Sequence, residues 1–177
     1  MDKKEDLKSF ERLVAIIARL RSPGGCPWDR EQTHDSIKGN MLEEAYEAVE
    51  TIDQRDMTKL CEELGDLLMQ IVLHSQMAKE AGSFEIGDVI QRICEKLIYR
   101  HPHVFGETKV KDSSEVVANW EELKRKEGKG ELLSGLPKNM PALAYAQAVG
   151  RRVARVGFDW NTVDDIIDKL SEEVAEL

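Results

Sequence analysis

Apolar residues recur along this chain at steps of three and four, and no segment sustains the every-second-residue alternation of a half-buried strand. Leu7, Phe10, Val14, Ile17 and Leu20 line one face of a first predicted helix. The run RSPGGCPWD ends it, with proline and paired glycines as breakers. Asp29, followed three positions later by Gln32, predicts a capping box that opens the next turn. Further helices are predicted from Ser36 to Ile52, Thr58 to Ala81, Ile86 to Arg100 and Ser114 to Glu127. Asp56 or Thr58 would cap the second of these, and Gly82 marks its end. GKGELLSGLPKNMP reads as a linker, and helices from Ala142 to Val156 and from Thr162 to Leu177 follow, separated by a GFDWN turn. The expected fold class is all-α.

Two of these helices carry acids at the margin of their apolar stripes. LEEAYE places E-E-x-x-E on one, and CEELGD places E-E-x-x-D on the next. Successive helical residues advance by about 100°. With Glu44 as origin, Met41, Leu42, Ala45, Ala48, Val49 and Ile52 fill an arc from roughly 40° to 160°, and Glu47 lies roughly 60° out. With Glu63 as origin, Leu60, Cys61, Leu64, Leu67, Leu68 and Ile71 occupy the same arc, and Asp66 takes the place of Glu47. Glu43, Glu50 and Glu62 point to water. If the two stripes pack antiparallel, Glu44, Glu47, Glu63 and Asp66 face one another across the seam. Met69, Leu73 and Met77 extend the apolar character round the second helix, so a further helix is expected against it.

A single EExxE is ordinarily a solvated helix face. Two in register at a core margin are not, because each pair of carboxylates about 5 Å apart repels by roughly 3 kcal/mol at an effective dielectric near 20. Protonation or a cation must relieve that repulsion. Oxygen ligands without nearby Cys or His select a hard ion, Mg²⁺ first and Mn²⁺ second. A di-iron bundle would need Glu-x-x-His, but Asp66 stands where the histidine would be and His74 lies two turns further on.

Composition narrows the function classes. With 177 residues, 41% apolar and 33% charged, the chain suits one globular domain with a small appendage. Its longest apolar run, Leu13 to Ala18, is too short to cross a bilayer, and MDKKEDLKSF lacks a signal peptide's apolar core. Three cysteines with no C-x-x-C spacing suggest reduced thiols and a cytoplasmic setting. A net charge of −9 argues against nucleic-acid binding, though a local basic patch can still meet a phosphorylated small molecule.

Such a patch is offered by Arg92, Lys96 and Arg100, spaced four apart, and by Trp120 with Lys124 on a common helix face. The bland reading of each is a solvated face, with Trp120 as core and Trp28 pinning its loop. The functional reading sets the cations on a polyphosphate and an aromatic ring on a base, with Lys38 as another phosphate candidate. His101 and His103 do not have the setting of a zinc pair and read as structural or peripheral. There is no G-x-x-x-x-G-K-[ST] loop, and no Ser/His/Asp set in recognisable context.

The ordered blocks LRSPGGCPWDREQTH, LEEAYEAVE, CEELGDLLMQIVLHSQMA, EKLIYRHPHVFGE, NWEELKRKE and SGLPKNMPALAYAQAVGRRVARVGFDW resemble the MazG-type nucleoside triphosphate pyrophosphohydrolases over nearly the whole chain. That resemblance implies an all-α helical bundle completed by dimerisation and Mg²⁺ held by Glu44, Glu47, Glu63 and Asp66. It also implies hydrolysis of nucleoside triphosphates to monophosphate and pyrophosphate, with Lys96, Arg100, Trp120 and Lys124 at positions that contact nucleotide. One departure stands out. Family members often carry two such modules, the second more active, whereas here the last helix supplies EEVAE with no E-x-x-D after it.

The expected organisation is therefore a catalytic module over residues 1–127, a linker over 128–141 and the start of an incomplete second module over 142–177. The expected function is Mg²⁺-dependent nucleoside triphosphate pyrophosphohydrolysis in nucleotide-pool house-cleaning, by a homodimer that binds neither nucleic acid nor membrane. The competing readings are a regulatory module that binds nucleotide and metal without turnover, a structural dimerisation domain, and a pyrophosphohydrolase specialised for phosphoribosyl-ATP or one deoxynucleotide.

Overall fold

A computed structural model describes residues 7–126 and 132–176. Among them are nine helices and no strand, and no helix is long and apolar enough to cross a membrane. The helices are α1 (Phe10–Arg21), α2 (Pro27–Glu31), α3 (His34–Gln54), α4 (Met57–Glu80), α5 (Ile86–Arg100), α6 (Pro102–Phe105), α7 (Ser113–Lys126), α8 (Ala142–Ala154) and α9 (Val163–Ala175). They fall into two compact units, Met1–Leu97 and Ile98–Leu177.

In the first unit the predicted helices form, but one cap was misplaced. Asp29 and Gln32 do not make a capping box. Pro27 starts the short α2 instead, with its ring suited to a first helical position, which places Asp29 inside a helix and Gln32 at its end. The reciprocal box belongs to Thr33 and Ser36, each side chain taking the other's backbone N–H, and it opens α3 two residues earlier than the pattern suggested. Trp28 is largely exposed. The loop is held by Arg21, whose guanidinium donates to the backbone carbonyls of Asp29 and Gln32 and makes a bidentate pair with Glu80 at the end of α4. Gly25 is required there, since a Cβ would stand 2.2 Å from the Leu20 carbonyl oxygen.

A two-residue connection, Arg55 and Asp56, joins α3 to α4 and makes them an antiparallel hairpin. Arg55 adopts a left-handed conformation at φ 58°, while the Asp56 carboxylate caps α4 by accepting from the N–H groups of Thr58 and Lys59. Gly82, at φ 69°, ends α4 as anticipated.

The core lies at the open end of this hairpin, where α1 packs on α4. Ile17, Ile37, Val72, Leu73 and Met77 are buried together, with Phe10, Leu13, Val14, Met69 and Ile86 against them. The apolar character of Met69, Leu73 and Met77 thus does meet another helix, and that helix is α1 of the same chain. Leu7 lies outside α1 and is exposed. The predicted stripes of α3 and α4 fare differently. Ala48 is buried and Met41, Ala45, Leu60 and Leu67 are partly covered, but Leu42, Val49, Ile52, Cys61, Leu64, Leu68 and Ile71 are exposed. The reason is geometric: α1 is the helix that packs on α4, and it covers the side carrying Val72, Leu73 and Met77.

In the second unit, HPHVFG contains the one-turn α6 where a loop was expected. The Asp112 carboxylate caps α7 by accepting from Ser114 and Glu115 N–H. Arg152 on α8 donates to the carbonyls of Leu132 and Ser134, fixing the described part of the linker, and residues 128–131 lie outside the described range. α9 opens with a second reciprocal capping box, Thr162 with Asp165. Its EExxE differs from the first: Glu172 and Glu173 both pair with Lys169 on the same helix, at 2.7 and 3.2 Å.

Candidate functional site

The hairpin brings acids together at its seam. One carboxylate oxygen from each of Glu44, Glu63 and Asp66 lies within 4.8 Å of the others. On α3, Glu44 and Glu47 are one turn apart; on α4, Glu63 and Asp66 are likewise, so the two helix faces match. Glu47 is exposed and stands outside the trio, yet its charge is felt by both Glu44 and Glu63.

The electrostatics show unrelieved repulsion. The Glu44 carboxyl is pushed above its ordinary range by partial burial first, then by the charges of Asp66 and Glu47, while a hydrogen bond from Gln70 opposes the shift. Burial also raises Glu63, helped by Glu47, Glu62 and Asp66 and opposed by Lys59. Both groups hold protons more tightly, chiefly because burial disfavours their charged forms and then because neighbouring carboxylates repel them.

A hard divalent cation fits this donor set. The trio offers only carboxylate oxygens, and no Cys or His joins the cluster among the described residues. A second sign is Gln70, one turn past Asp66 on α4, whose Oε1 is buried without a hydrogen-bond partner among the described residues. Gln70 was not singled out from the sequence, because a glutamine in an apolar run carries no spacing signal.

The basic and aromatic candidates are distributed less evenly. Lys38 is exposed and paired with Asp35 at 3.0 Å. Arg92 and Lys96 are exposed on α5, but Arg100, the third member of the expected basic strip, is buried. Its guanidinium sits 5.3 Å from the centre of the Trp120 ring, and His101 meets the same indole edge-on at 5.1 Å. His101 thus has a packing role, as its local context suggested. Lys124 lies 3.6 Å from Glu121, which also pairs with Arg155.

A histidine pair also went unnoticed in the sequence. His34, the first residue of α3, and His74 on α4 stack with ring centres 5.0 Å apart. Forty positions separate them, so only the hairpin's register brings them together.

Residues 32–105 match the family described as the MazG nucleotide pyrophosphohydrolase domain. The chain is 44% identical over 176 residues to the nucleoside triphosphate pyrophosphohydrolase of Escherichia coli (strain K12), covering 97% of this chain and 67% of that one. It is 43% identical over 171 residues to the nucleoside triphosphate pyrophosphohydrolase/pyrophosphatase MazG of Thermotoga maritima, covering 95% of this chain and 66% of that one. The chain thus spans about two thirds of the length of these relatives. A crystal structure of a mazG-related protein from Thermotoga maritima superposes with a TM-score of 0.56 at 31% identity, over 65% of this chain and 98% of that one. These likenesses show that the chain belongs to the MazG nucleotide pyrophosphohydrolase family.

Proposed function

We propose that this chain hydrolyses nucleoside triphosphates to the monophosphate and pyrophosphate, using a divalent cation held by Glu44, Glu47, Glu63 and Asp66. The observation that carries this reading is the meeting of Glu44, Glu63 and Asp66 at one point, in a chain akin to enzymes that bear that name. Mg²⁺ is the expected ion and Mn²⁺ its substitute. When bound, such an ion supplies positive charge to phosphate oxygens and lowers the pKa of a water.

The chain's own groups do the rest. The acids of α3 and α4 fix the ion's place, and a carboxylate oxygen left free by it accepts the proton of the attacking water. Lys38, Lys96, Arg100 and Lys124 are the cations assigned to phosphate oxygens, and Trp120 the ring assigned to the base. Residues 1–127 act as the catalytic module, and 142–177 repeat its opening elements after the 128–141 linker. Nucleotide-pool house-cleaning in the cytoplasm is the role this activity would serve.

The functional unit is a homodimer. Leu42, Val49, Ile52 and Leu64 lie on the two helices that carry the acids, each more than half exposed, and a second copy would cover them.

A nucleotide panel assayed with and without Mg²⁺ tests the activity. Pyrophosphate release that stops on chelation is expected; release of orthophosphate, or turnover indifferent to chelator, overturns the proposal. Binding without product, abolished by Glu44→Ala, would indicate a regulatory module. Turnover of a single nucleotide would indicate a specialised pyrophosphohydrolase.

A further inference from the structure

On its side toward α3, α4 carries Glu63, Asp66 and Gln70 at steps of three and four. The first two join Glu44 in the acid trio. Gln70, the next residue on that face, is only 4% exposed. Its side-chain amide favours the charged form of Glu44, which only the Nε2 donor can do, so Oε1 is left over. That oxygen is buried and has no hydrogen-bond partner among the described residues. Leucine or methionine would fill the same space without stranding an acceptor, so packing alone gives no reason for an amide here.

The missing partner must be a donor, and ionised carboxylates only accept. It therefore comes from outside the cluster. A divalent cation brings donors with it, because Mg²⁺ keeps several waters of its hydration shell when carboxylates bind it, and the hydrogens of those waters face outward. Carboxylates that ligate a metal are themselves commonly held by hydrogen bonds from such outer groups.

We propose that Gln70 is a positioning residue of the cation site, with Nε2 fixing the Glu44 carboxylate and Oε1 accepting a hydrogen bond from the hydration shell of Mg²⁺ or Mn²⁺. This rests on the cation reading given above and adds to it a neutral side chain outside the acidic motifs. Gln70 completes the site without adding charge, so it orients Glu44 without further repulsion among the acids.

The test uses the full chain, free of nucleotide, first stripped with chelator and then titrated with Mg²⁺ by calorimetry. The Gln70 side-chain amide is followed in parallel by ¹⁵N NMR. In the unmodified protein the Gln70 NH₂ resonances should shift as Mg²⁺ saturates. Gln70→Met should bind Mg²⁺ about 10–100-fold more weakly, while its melting temperature in chelator stays level or rises, because the stranded acceptor is gone. A residue with only a packing role would lower that melting temperature and leave affinity alone. Unmoved amide resonances, or equal Mg²⁺ affinity in Gln70→Met, overturn the assignment of Gln70 alone. If the unmodified protein binds neither Mg²⁺ nor Mn²⁺, the cation reading falls with it. Should Gln70→Met fail to fold, the amide resonances of the unmodified protein decide the matter.

Discussion

The Nδ1 atoms of His34 and His74 lie 2.7 Å apart, fastening the first residue of α3 to the C-terminal third of α4. One hydrogen serves both nitrogens, so at least one ring must be neutral for the bond to exist. Burial, and then the charge of His34, lowers the His74 pKa below its ordinary 6.5. The unfolded chain therefore binds more protons than the folded one just below that value, and stability must rise with pH across the window from the depressed pKa to 6.5. Melting temperature measured from pH 5 to 8 should fall on the acid side, with a slope of no more than about 1.4 kcal/mol per pH unit from this group. His74→Gln should flatten that slope. An unchanged profile in the variant would show that the pair does not matter to stability.

At the acid trio the sign of a substitution should depend on the ion. In chelator, Glu63→Gln removes one repelling charge from beside Glu44 and Asp66, so the variant should melt at or above the parent temperature. With millimolar Mg²⁺ the parent should gain stability and the variant should not, reversing their order. Pyrophosphate release should drop by about 10²-fold or more in Glu44→Gln and Asp66→Asn. Equal gains from Mg²⁺ in parent and Glu63→Gln would remove the trio from the site.

Arg21 ties three segments at once: the end of α1, the backbone after α2 and Glu80 at the end of α4. Its side chain is almost fully buried. Arg21→Lys keeps the charge but cannot span a carboxylate and two carbonyls, so it should lose about 2–3 kcal/mol in denaturant unfolding. The Glu80 carboxyl is held below its ordinary 4.5 chiefly by the Arg21 hydrogen bonds. Their stabilising contribution is therefore complete above pH 4.5 and fades as pH falls through the lowered value. A lysine variant as stable as the parent would show the fork to be dispensable.

Arg55 holds a left-handed backbone at φ 58° without being glycine. Arg55→Gly relieves the Cβ clash at that position but loosens the unfolded chain. The net expectation is a gain of about 0.5–1 kcal/mol, read as a higher denaturant midpoint at unchanged slope. A loss would mean that the arginine side chain makes a contribution outweighing the strain.

The uncovered half of the hairpin predicts self-association. Light scattering on the parent should give twice the 20.1 kDa chain mass, and Leu42→Asp with Val49→Asp should give the single-chain mass. A parent that remains single at high concentration would leave those apolar side chains without the proposed partner.

Much of this was legible in the amino-acid order because the features are local. Period-3.6 spacing marks α1, α3 and α4, and the three-residue step between Glu44 and Glu47, or Glu63 and Asp66, puts each pair on one face. What escaped depends on register or on backbone. The Thr33 box, not the Asp29 one, was selected by Pro27 nucleating a turn of its own. Arg100 looked like one of three equivalent surface cations, but Trp120, twenty positions on, gives it a ring to pack on while Arg92 and Lys96 stay in water. The Gln70 amide, the His34–His74 pair and the Arg21 fork each require a partner remote in sequence or facing from another helix, which one helix's periodicity does not reveal.

The two-residue turn at Arg55 and Asp56 also bears on how the molecule acquires its structure. Only twenty-two positions separate Glu44 from Asp66, so closing the loop between them costs little chain entropy, and contacts this local form early in folding. The acids should come together before the rest of the chain has settled. An ion available at that moment would join the hairpin as it zips, making magnesium an accelerant of refolding as well as an aid to the finished protein.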